Sequence, residues 1–432
     1  MSDMAPVCLR FSTTMSDLVQ KTVLDNGLRI VTERILGSRS AAIGAWFAVG
    51  SRDETPERSG VSHFLEHLLF KGTEERSSRS VAEAIDGVGG DMNAFTSREY
   101  TAFYARVPAT AFDMATDLLF DVLRRPALRV SDVDAERMVI NEELVAAFDT
   151  PDDVVHIALY DSLFSGHALA REVLGDPETI SAMSSEDIGT FHREWYRPVN
   201  LVLSAAGDVE HDRFVEFAAK HFGDLDPGEQ PRRAQSPGVP APGAIGTTLA
   251  VEQLHVALGW RSVPHSDPRR FALALANQIL GGSPSSRLFQ TVREDQGLAY
   301  TVFSQTSGYC DAGSATVYAA TSAARGAELL AALNEGVSTF ATDGVTEHEL
   351  DLARSGLEGA VVLGLEDSGS RMSRLATGEA LRGKVTSLDE FLANVRAVTV
   401  EDINKVVSEV YGEEPIVSLV GTEATLDRLA SA

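Results

Sequence analysis

The sequence predicts an α/β protein of the α+β kind, made of two homologous α/β domains that arose by internal duplication. From residue 21 onward, strand-like runs alternate with helical ones. The segment 185–207 also recurs as 400–421, at an offset of 215 residues that slips to 214 before the strand. Each copy combines a capped helix with a buried strand, and recurrence at half the chain length indicates duplicated domains.

The composition is that of an ordinary globular protein and argues against several partners. The 432 residues include 37 Lys and Arg against 63 Asp and Glu, a net charge of −26, which disfavours nucleic acid. The acidic excess indicates either a solvating surface or an acidic cavity for basic peptides. No stretch reaches the roughly 18 apolar residues of a membrane span. Two cysteines provide neither a disulfide framework nor a thiolate metal site, so we expect a cytoplasmic protein.

Local signals define the elements of the first half. An Asn-Gly pair lies between apolar runs and predicts a hairpin within residues 24–31. Ser131 and Asp134 form a variant of the capping box that begins a helix. The pattern further predicts strands at 40–49, 94–107 and 200–206, and helices at 61–71, 81–87, 110–124 and 131–148.

The domain boundaries follow from composition. Residues 1–20 are predicted to be a flexible tail, and residues 21–225 form the first domain. Five prolines without hydrophobic periodicity indicate a linker at 226–245. Residues 246–432 then form the second domain.

The segment His63-Phe64-Leu65-Glu66-His67 is the one dense cluster of metal-ligand side chains in the sequence. On a helix, His63 and His67 share one face about 5–6 Å apart, which allows two imidazoles to hold one Zn²⁺. Glu66 borders the same face, and leucines form the apolar stripe opposite. The alternative is that two surface histidines fall four residues apart by chance.

A catalytic zinc site needs a third protein ligand. The helix at 131–148 offers Glu136, Glu142 and Glu143. Helical spacing places Glu136 and Glu143 on one face, with Glu142 about 100° around from Glu143. Periodicity therefore favours Glu143 mildly, and a simple solvated acidic face remains an alternative.

The H-x-x-E-H order and the block from His63 to Thr73 resemble the pitrilysin and insulin-degrading enzyme family, an inverzincin group whose smaller members include the mitochondrial processing peptidases. The resemblance covers about residues 21–425. It implies that 21–225 is the catalytic zinc-binding domain and 246–432 its noncatalytic copy. It also implies that His63, His67 and Glu143 bind one Zn²⁺ per chain, that Glu66 is the general base, and that Glu136 is an acid behind the metal.

Glycines at 89–90 lead into a strand, and no phosphate-loop motif occurs there. In the family this block is an edge strand near the zinc. The resemblance gives Asn93 and Ala94 the role of pairing with the backbone of a peptide substrate. The alternative is an ordinary hairpin edge.

In the second half, the sequence alone predicts that Arg293 is a cation at a helix end and that Tyr300 begins a strand. These positions match an R-x6-Y pair of the family. The resemblance makes them stabilisers of the tetrahedral oxyanion. No H-x-x-E-H occurs in this half.

Two departures concern substrate selection. The glycine-rich loop of the processing peptidase's noncatalytic subunit is reduced here to Gly281-Gly282-Ser283. Processing peptidases also place two acids after the third ligand, which hold a substrate arginine. Asp153 matches the first of these, whereas Ile157 occupies the second. Selectivity for arginine-bearing presequences is therefore not expected.

Together these observations predict a zinc endopeptidase, a hydrolase of oligopeptides or unfolded segments, in which a zinc-activated water reacts with Glu66 as base. Family members of this size pair two chains, and this chain carries both the zinc motif and the Arg293/Tyr300 pair, so we expect a homodimer. The alternative is a catalytically silent structural subunit, or one that depends on a different partner in a hetero-oligomeric processing peptidase.

Overall fold

The computed structural model describes residues 10–14 and 18–431. The described chain forms two compact units. The first contains the chain up to Leu144, Glu172–Arg233 and Leu363–Thr386. The second contains Val145–Arg171, Ala234–Val362 and the chain from Ser387 onward.

The first unit is built on a seven-stranded mixed sheet. Its strands are β1 (Arg10–Thr14), β2 (Val19–Val23), β3 (Arg29–Arg34), β4 (Ser40–Phe47), β5 (Asp91–Thr96), β6 (Thr101–Pro108) and β7 (Leu201–Gly207). They follow the order β1-β2-β3-β7-β4-β6-β5. Strands β3 and β7 pair in parallel, and all the other neighbours are antiparallel. Strand β5 therefore forms one edge of this sheet.

Helices α1 (Val61–Leu69), α2 (Ser78–Asp86), α3 (Phe112–Arg124), α6 (Pro177–Ala182), α7 (Ser185–Trp195), α8 (His211–Phe222) and α12 (Ser368–Arg382) belong to the first unit, and α4 (Val130–Asp149) begins there. The main core of the unit contains Phe47, Phe64, Phe103 and Phe214, all fully buried. Helix α1 thus packs its apolar side on this core, which leaves its histidine side available.

The second unit has a five-stranded sheet. Its strands are β8 (Gly243–Thr248), β9 (Gln253–Ser262), β10 (Thr301–Gly308), β11 (Gly313–Ser322) and β12 (Ile416–Gly421), in the order β10-β11-β9-β12-β8. Its helices are α5 (Pro151–Leu163), α9 (Arg270–Leu280), α10 (Gly326–Asp343), α11 (Glu347–Gly364), α13 (Leu388–Ala397), α14 (Val400–Tyr411) and α15 (Glu423–Ala430). Helix α11 extends two residues past the boundary of the unit.

The strand orders confirm the α/β duplication. The order β8-β12-β9-β11-β10 repeats β3-β7-β4-β6-β5, including the single parallel pair. The repeated capped helices are α7 and α14, which begin with capping boxes at Ser184 and Thr399. Each is followed by the strand that pairs in parallel, β7 or β12.

Two exchanged segments depart from the predicted linear boundaries. Helix α12 follows the second half of the sequence but packs on β4 and β7 of the first sheet, and α5 packs on β9 and β12 of the second. Glycines allow both approaches: a Cβ on Gly44 would lie 2.5 Å from the Met372 sulfur, and one on Gly259 would lie 2.7 Å from Leu159. Each sheet needs an apolar cover on its second face, and helical periodicity does not say which sheet a helix covers.

Several predicted elements need correction. The predicted strand 94–107 is the hairpin of β5 and β6, which turns at 97–100. Within the predicted tail, residues 10–14 form β1 and pair with β2, whereas residues 1–9 and 15–17 lie outside the described residues. Strand β8 begins inside the predicted linker. The predicted Asn-Gly hairpin is confirmed, since β2 and β3 pair antiparallel around it. Among residues 10–14 and 18–431, none of the helices has the length and apolar composition that crossing a membrane requires.

Candidate metal centre and active site

The start of helix α1 is fixed by backbone contacts. Its N-cap residue, Gly60, has φ +89° and carries no capping side chain. A Cβ at Gly60 would lie 2.6 Å from the Leu174 carbonyl oxygen, so only glycine allows this close approach. Thr179 donates a hydrogen bond to the Ser59 carbonyl at 2.8 Å. The first turn of the helix is therefore held against the 174–179 segment.

Glu54 supplies the cap that Gly60 lacks. Its two carboxylate oxygens accept hydrogen bonds from the backbone N–H groups of Gly60 and Ser62, both at 2.8 Å. The side chain is buried, and a negative charge at a helix start also interacts favourably with the helix dipole. Since His63 follows Ser62 directly, this cap sets the position of the first histidine.

Three candidate ligands meet on the exposed side of α1. The imidazole rings of His63 and His67 lie 4.7 Å apart, and α4 brings in Glu143. Glu143 Oε2 lies 3.8 Å from His63 Nε2 and 3.5 Å from His67 Nε2. Ligand atoms of a tetrahedral zinc, each about 2.1 Å from the metal, lie about 3.4 Å from one another. The two imidazoles and the carboxylate therefore match one zinc ion in both donor type and spacing.

Burial keeps the first imidazole in its neutral form. Burial, and secondly the neighbouring His67, lower the pKa of His63 to about 4. A neutral imidazole retains the lone pair that a metal ion needs. At neutral pH, His63 is therefore ready to act as a ligand.

A second acid orients the other imidazole. His67 Nδ1 donates a hydrogen bond to Glu136 Oε2 at 3.0 Å, and Lys71 Nζ lies 2.5 Å from Glu136 Oε1. With Nδ1 engaged, the lone pair of His67 is on Nε2, the atom that faces Glu143. Glu136 thus lies behind His67 and is outside the candidate ligand group, which consists of His63, His67 and Glu143.

Glu66 lies beside the ligand group without belonging to it. Thr96 Oγ1 donates a hydrogen bond to Glu66 Oε2 at 2.5 Å. Burial raises the pKa of Glu66, while the bond from Thr96 lowers it. Burial chiefly, and then the charge of Glu66, raise the pKa of the buried Tyr196 phenol. The Glu66 carboxylate therefore occupies a partly desolvated position with one oxygen engaged.

The predicted peptide-pairing residues lie on the sheet edge. Within the described chain, β5 pairs with β6 alone, and Asn93 and Ala94 stand opposite Tyr104 and Phe103. Asn93 is exposed, and its Oδ1 accepts a hydrogen bond from the Ala94 N–H at 2.8 Å. That N–H is thus engaged by the neighbouring side chain, on the strand whose outer edge is open.

The structure brings Arg293 and Tyr300 together in the second unit. Arg293 lies in the π-helical turn Phe289–Asp295, and its guanidinium donates to the Tyr300 carbonyl at 2.9 Å. The guanidinium carbon stacks 4.3 Å from the centre of the Tyr300 ring, which is 79% exposed. Asp153 also belongs to this unit and is exposed near the start of α5. Burial and Asp152 raise the pKa of Asp153.

Two supporting residues were not found by sequence analysis, namely Glu54 and Thr96. Thr96 lies two residues after Ala94, so strand alternation would place both on the same sheet face. Strand alternation points to Thr96 as a neighbour of Glu66 only once β5 is known to lie against α1. Glu54 is six residues before the N-cap and gives no local signal.

Two stretches of the chain match known protein families. Residues 29–177 match the family described as Insulinase (Peptidase family M16), and residues 182–357 match the Peptidase M16 inactive domain. Together these matches span most of the chain. The chain belongs to peptidase family M16. The second half of this M16 chain, which matches the inactive domain, is the half without an H-x-x-E-H motif.

Relatives of this M16 chain cover nearly its whole length. An uncharacterized zinc protease of Streptomyces coelicolor is 43% identical over 410 residues, covering 93% of this chain and 89% of the relative. Another from Bacillus subtilis is 36% identical over 413 residues, covering 95% and 100%. A protease structure from Helicobacter pylori superposes with a TM-score of 0.85 at 22% identity, covering 93% and 99%. A peptidase M16 inactive domain from Pseudomonas fluorescens gives 0.86 at 20% identity, covering 94% and 98%.

Because Glu54 caps α1, its substitution should lower both the stability of the protein and its affinity for zinc. Glu54→Gln would turn an amide NH₂ toward a backbone N–H, and we expect a loss of about 1–3 kcal/mol in the free energy of unfolding. Zinc affinity should also fall, because His63 follows the capped residue. Urea unfolding and competition with a zinc chelator measure the two effects. Glu74→Gln, at an exposed position shortly after α1, is the control. A variant indistinguishable from wild type in both assays would contradict the assignment.

Proposed function

We propose that this M16 protein is a zinc-dependent endopeptidase that hydrolyses peptide bonds in oligopeptides or unfolded segments. The observation that supports it most is the site on α1. Three donor atoms, from His63, His67 and Glu143, lie within 4.8 Å of one another, with the Glu66 carboxylate beside them. The names of the relatives, which describe zinc proteases, point to the same chemistry.

The residues present fit one zinc ion per chain, since two imidazoles and a carboxylate are a typical catalytic donor set. When bound, zinc would polarise the scissile carbonyl and acidify the attacking water. Glu66 takes the proton from that water and passes it to the leaving amine. Glu136, held by Lys71, keeps His67 in the tautomer that binds through Nε2.

The open edge of β5 supports the choice of substrate. A peptide that adds as a strand beside β5 would bond through its main chain, with the Ala94 N–H exchanging its bond to Asn93 for one to the peptide. Main-chain pairing requires an extended peptide segment and depends little on the side chains of that peptide. Oligopeptides and unfolded segments are therefore cut, and folded domains are spared.

We also propose that the protein acts as a homodimer with two sites, each shared between protomers. Arg293 and Tyr300 lie in the unit that carries no zinc motif. The family resemblance implies that larger members hold four such domains in one chain, so two copies of this chain would supply the same number. In a symmetric dimer, the Arg293/Tyr300 pair of one protomer would stabilise the oxyanion at the zinc of the other. Asp153 would contact the substrate near the cleavage point.

Metal removal tests the proposed function. Purified protein should contain one zinc per chain by elemental analysis and should cleave unstructured peptides in a library read by mass spectrometry. We expect a chelator to abolish cleavage and added Zn²⁺ to restore it, because the zinc held by the ligand group would supply the chemistry. A tightly folded domain and its unfolded form serve as matched substrates. Zinc-loaded protein that cleaves no peptide would instead favour a silent structural subunit or one that needs a different partner.

A further inference from the structure

We propose that Thr96 is a positioning residue for the general base, holding the Glu66 carboxylate through a hydrogen bond from strand β5. The inference rests on the proposed function, in which Glu66 moves the proton. It adds a residue that neither the motif nor the ligand group contains. Strand β5, which is proposed to pair with the peptide, would then also support the base.

The contact is short and direct. Thr96 Oγ1 donates to Glu66 Oε2 at 2.5 Å, within the range of a hydrogen bond to a charged oxygen. Both residues are partly buried, so water competes weakly for the carboxylate. Because Oε2 accepts this bond, Oε1 is the oxygen left to receive the proton.

The direction of the Thr96 side chain follows from strand alternation. On β5, Met92 and Ala94 pack against the core that includes the buried side of α1. Thr96 continues the same alternation and therefore points to α1, whereas Asn93 lies on the opposite face. As a β-branched residue, Thr96 has a restricted χ1 angle, which reduces the entropy lost in holding the bond.

The backbone at Thr96 is also anchored independently of Glu66. Thr96 pairs with Thr101 of β6, and the turn that follows is closed by a bond from Ser97 N–H to the Tyr100 carbonyl at 2.8 Å. Arg52 N–H bonds to the Arg98 carbonyl at 2.8 Å. The hydroxyl therefore occupies a position set in advance by the sheet, as a preorganised catalytic group requires.

The same strand fixes the spacing between base and substrate. Ala94, proposed to bond the peptide backbone, is two residues from Thr96, about 6.6 Å along a strand. Without the Thr96 bond, the Glu66 side chain would sample other rotamers while the peptide still bound. Loss of the bond should therefore lower kcat and leave KM nearly unchanged.

Variants at position 96 test the inference. Thr96→Val keeps the β-branched shape and removes the hydroxyl, and we expect kcat to fall about tenfold or more with KM within about twofold of wild type. Thr96→Ser keeps the hydroxyl and should recover most of the rate. Thr316→Val is the matched control, since this buried strand threonine has no hydrogen-bond partner for its Oγ1 within the described chain. Zinc content and urea unfolding are measured on every variant, and each should retain one zinc per chain.

A double-mutant cycle asks whether Thr96 acts through Glu66. In the Glu66→Gln background, Thr96→Val should cause no further loss of the residual rate. If the wild type is active and Thr96→Val leaves kcat unchanged, this inference alone is wrong. Loss of zinc from Thr96→Val, or an equal loss of rate in the wild-type and Glu66→Gln backgrounds, would also contradict it. A zinc-loaded wild type without peptidase activity would overturn the proposed function itself.

Discussion

Glu66→Gln is expected to retain one zinc per chain while peptide cleavage falls by about 10²-fold or more. The amide has nearly the same shape as the carboxylate and can still accept the bond from Thr96, but it cannot take up the proton. Glu66 lies outside the group formed by His63, His67 and Glu143, so the metal should be unaffected. Elemental analysis and peptidase kinetics on the same preparation measure both quantities.

Glu143→Gln provides the opposite case. Removal of the charged ligand should empty or strongly weaken the zinc site, and activity would be lost for that reason. Glu142→Gln is the matched control on the same helix, because Glu142 is exposed and outside the ligand group. Its zinc content and rate should equal those of the wild type. An empty Glu66→Gln protein together with a fully loaded Glu143→Gln protein would reverse the assignment of base and ligand.

Mixing Glu66→Gln with Arg293→Ala chains is expected to regenerate activity that neither variant has alone. Each variant should be nearly inactive, because one lacks the base and the other lacks an oxyanion stabiliser. A hybrid dimer would contain one site with Glu66 from one protomer and Arg293 from its partner. If the two variants are mixed in equal amounts and exchange at random, half of the dimers are hybrids. Each hybrid has one intact site of its two, so about a quarter of the wild-type rate should return.

The control for this experiment mixes Glu66→Gln with Glu143→Gln. Both residues belong to the first unit, and no exchange of subunits can place an intact base beside an intact zinc site. Light scattering establishes the dimers, and a tagged pull-down establishes the exchange. If hybrids form and the Glu66→Gln and Arg293→Ala mixture stays inactive, Arg293 acts in its own chain or has no part in catalysis.

The local features were predictable because they depend on near neighbours in the chain. The four-residue spacing of His63 and His67 places both imidazoles on one face of any helix, and the structure forms that helix. An Asn-Gly pair between apolar runs determines a hairpin, and β2 and β3 form it. The repeated segment likewise indicated the duplication, which the two strand orders confirm.

The choice among acids on α4 depended on tertiary structure. Helical spacing left Glu136 and Glu143 on one face, and Glu143 follows His67 by 76 residues. Which acid reaches the imidazoles depends on how α4 is placed against α1. In the structure, Glu143 faces both Nε2 atoms, and Glu136 bonds the opposite nitrogen of His67. The resemblance implies Glu143 as the metal ligand, which stays a prediction, and helical periodicity alone does not distinguish it from Glu136.

The sequence by itself determined the helix with its two histidines, the hairpin signal and the repeat, since these depend on spacing along the chain. Tertiary structure alone decided that Thr96 meets Glu66, that Glu54 caps α1, and that α5 and α12 each cover the sheet of the other half of the sequence. These contacts join residues that are 6 positions apart in one case and 328 positions apart in another. They arise because buried faces and unpaired backbone groups must find partners wherever the fold brings them, which no local pattern encodes.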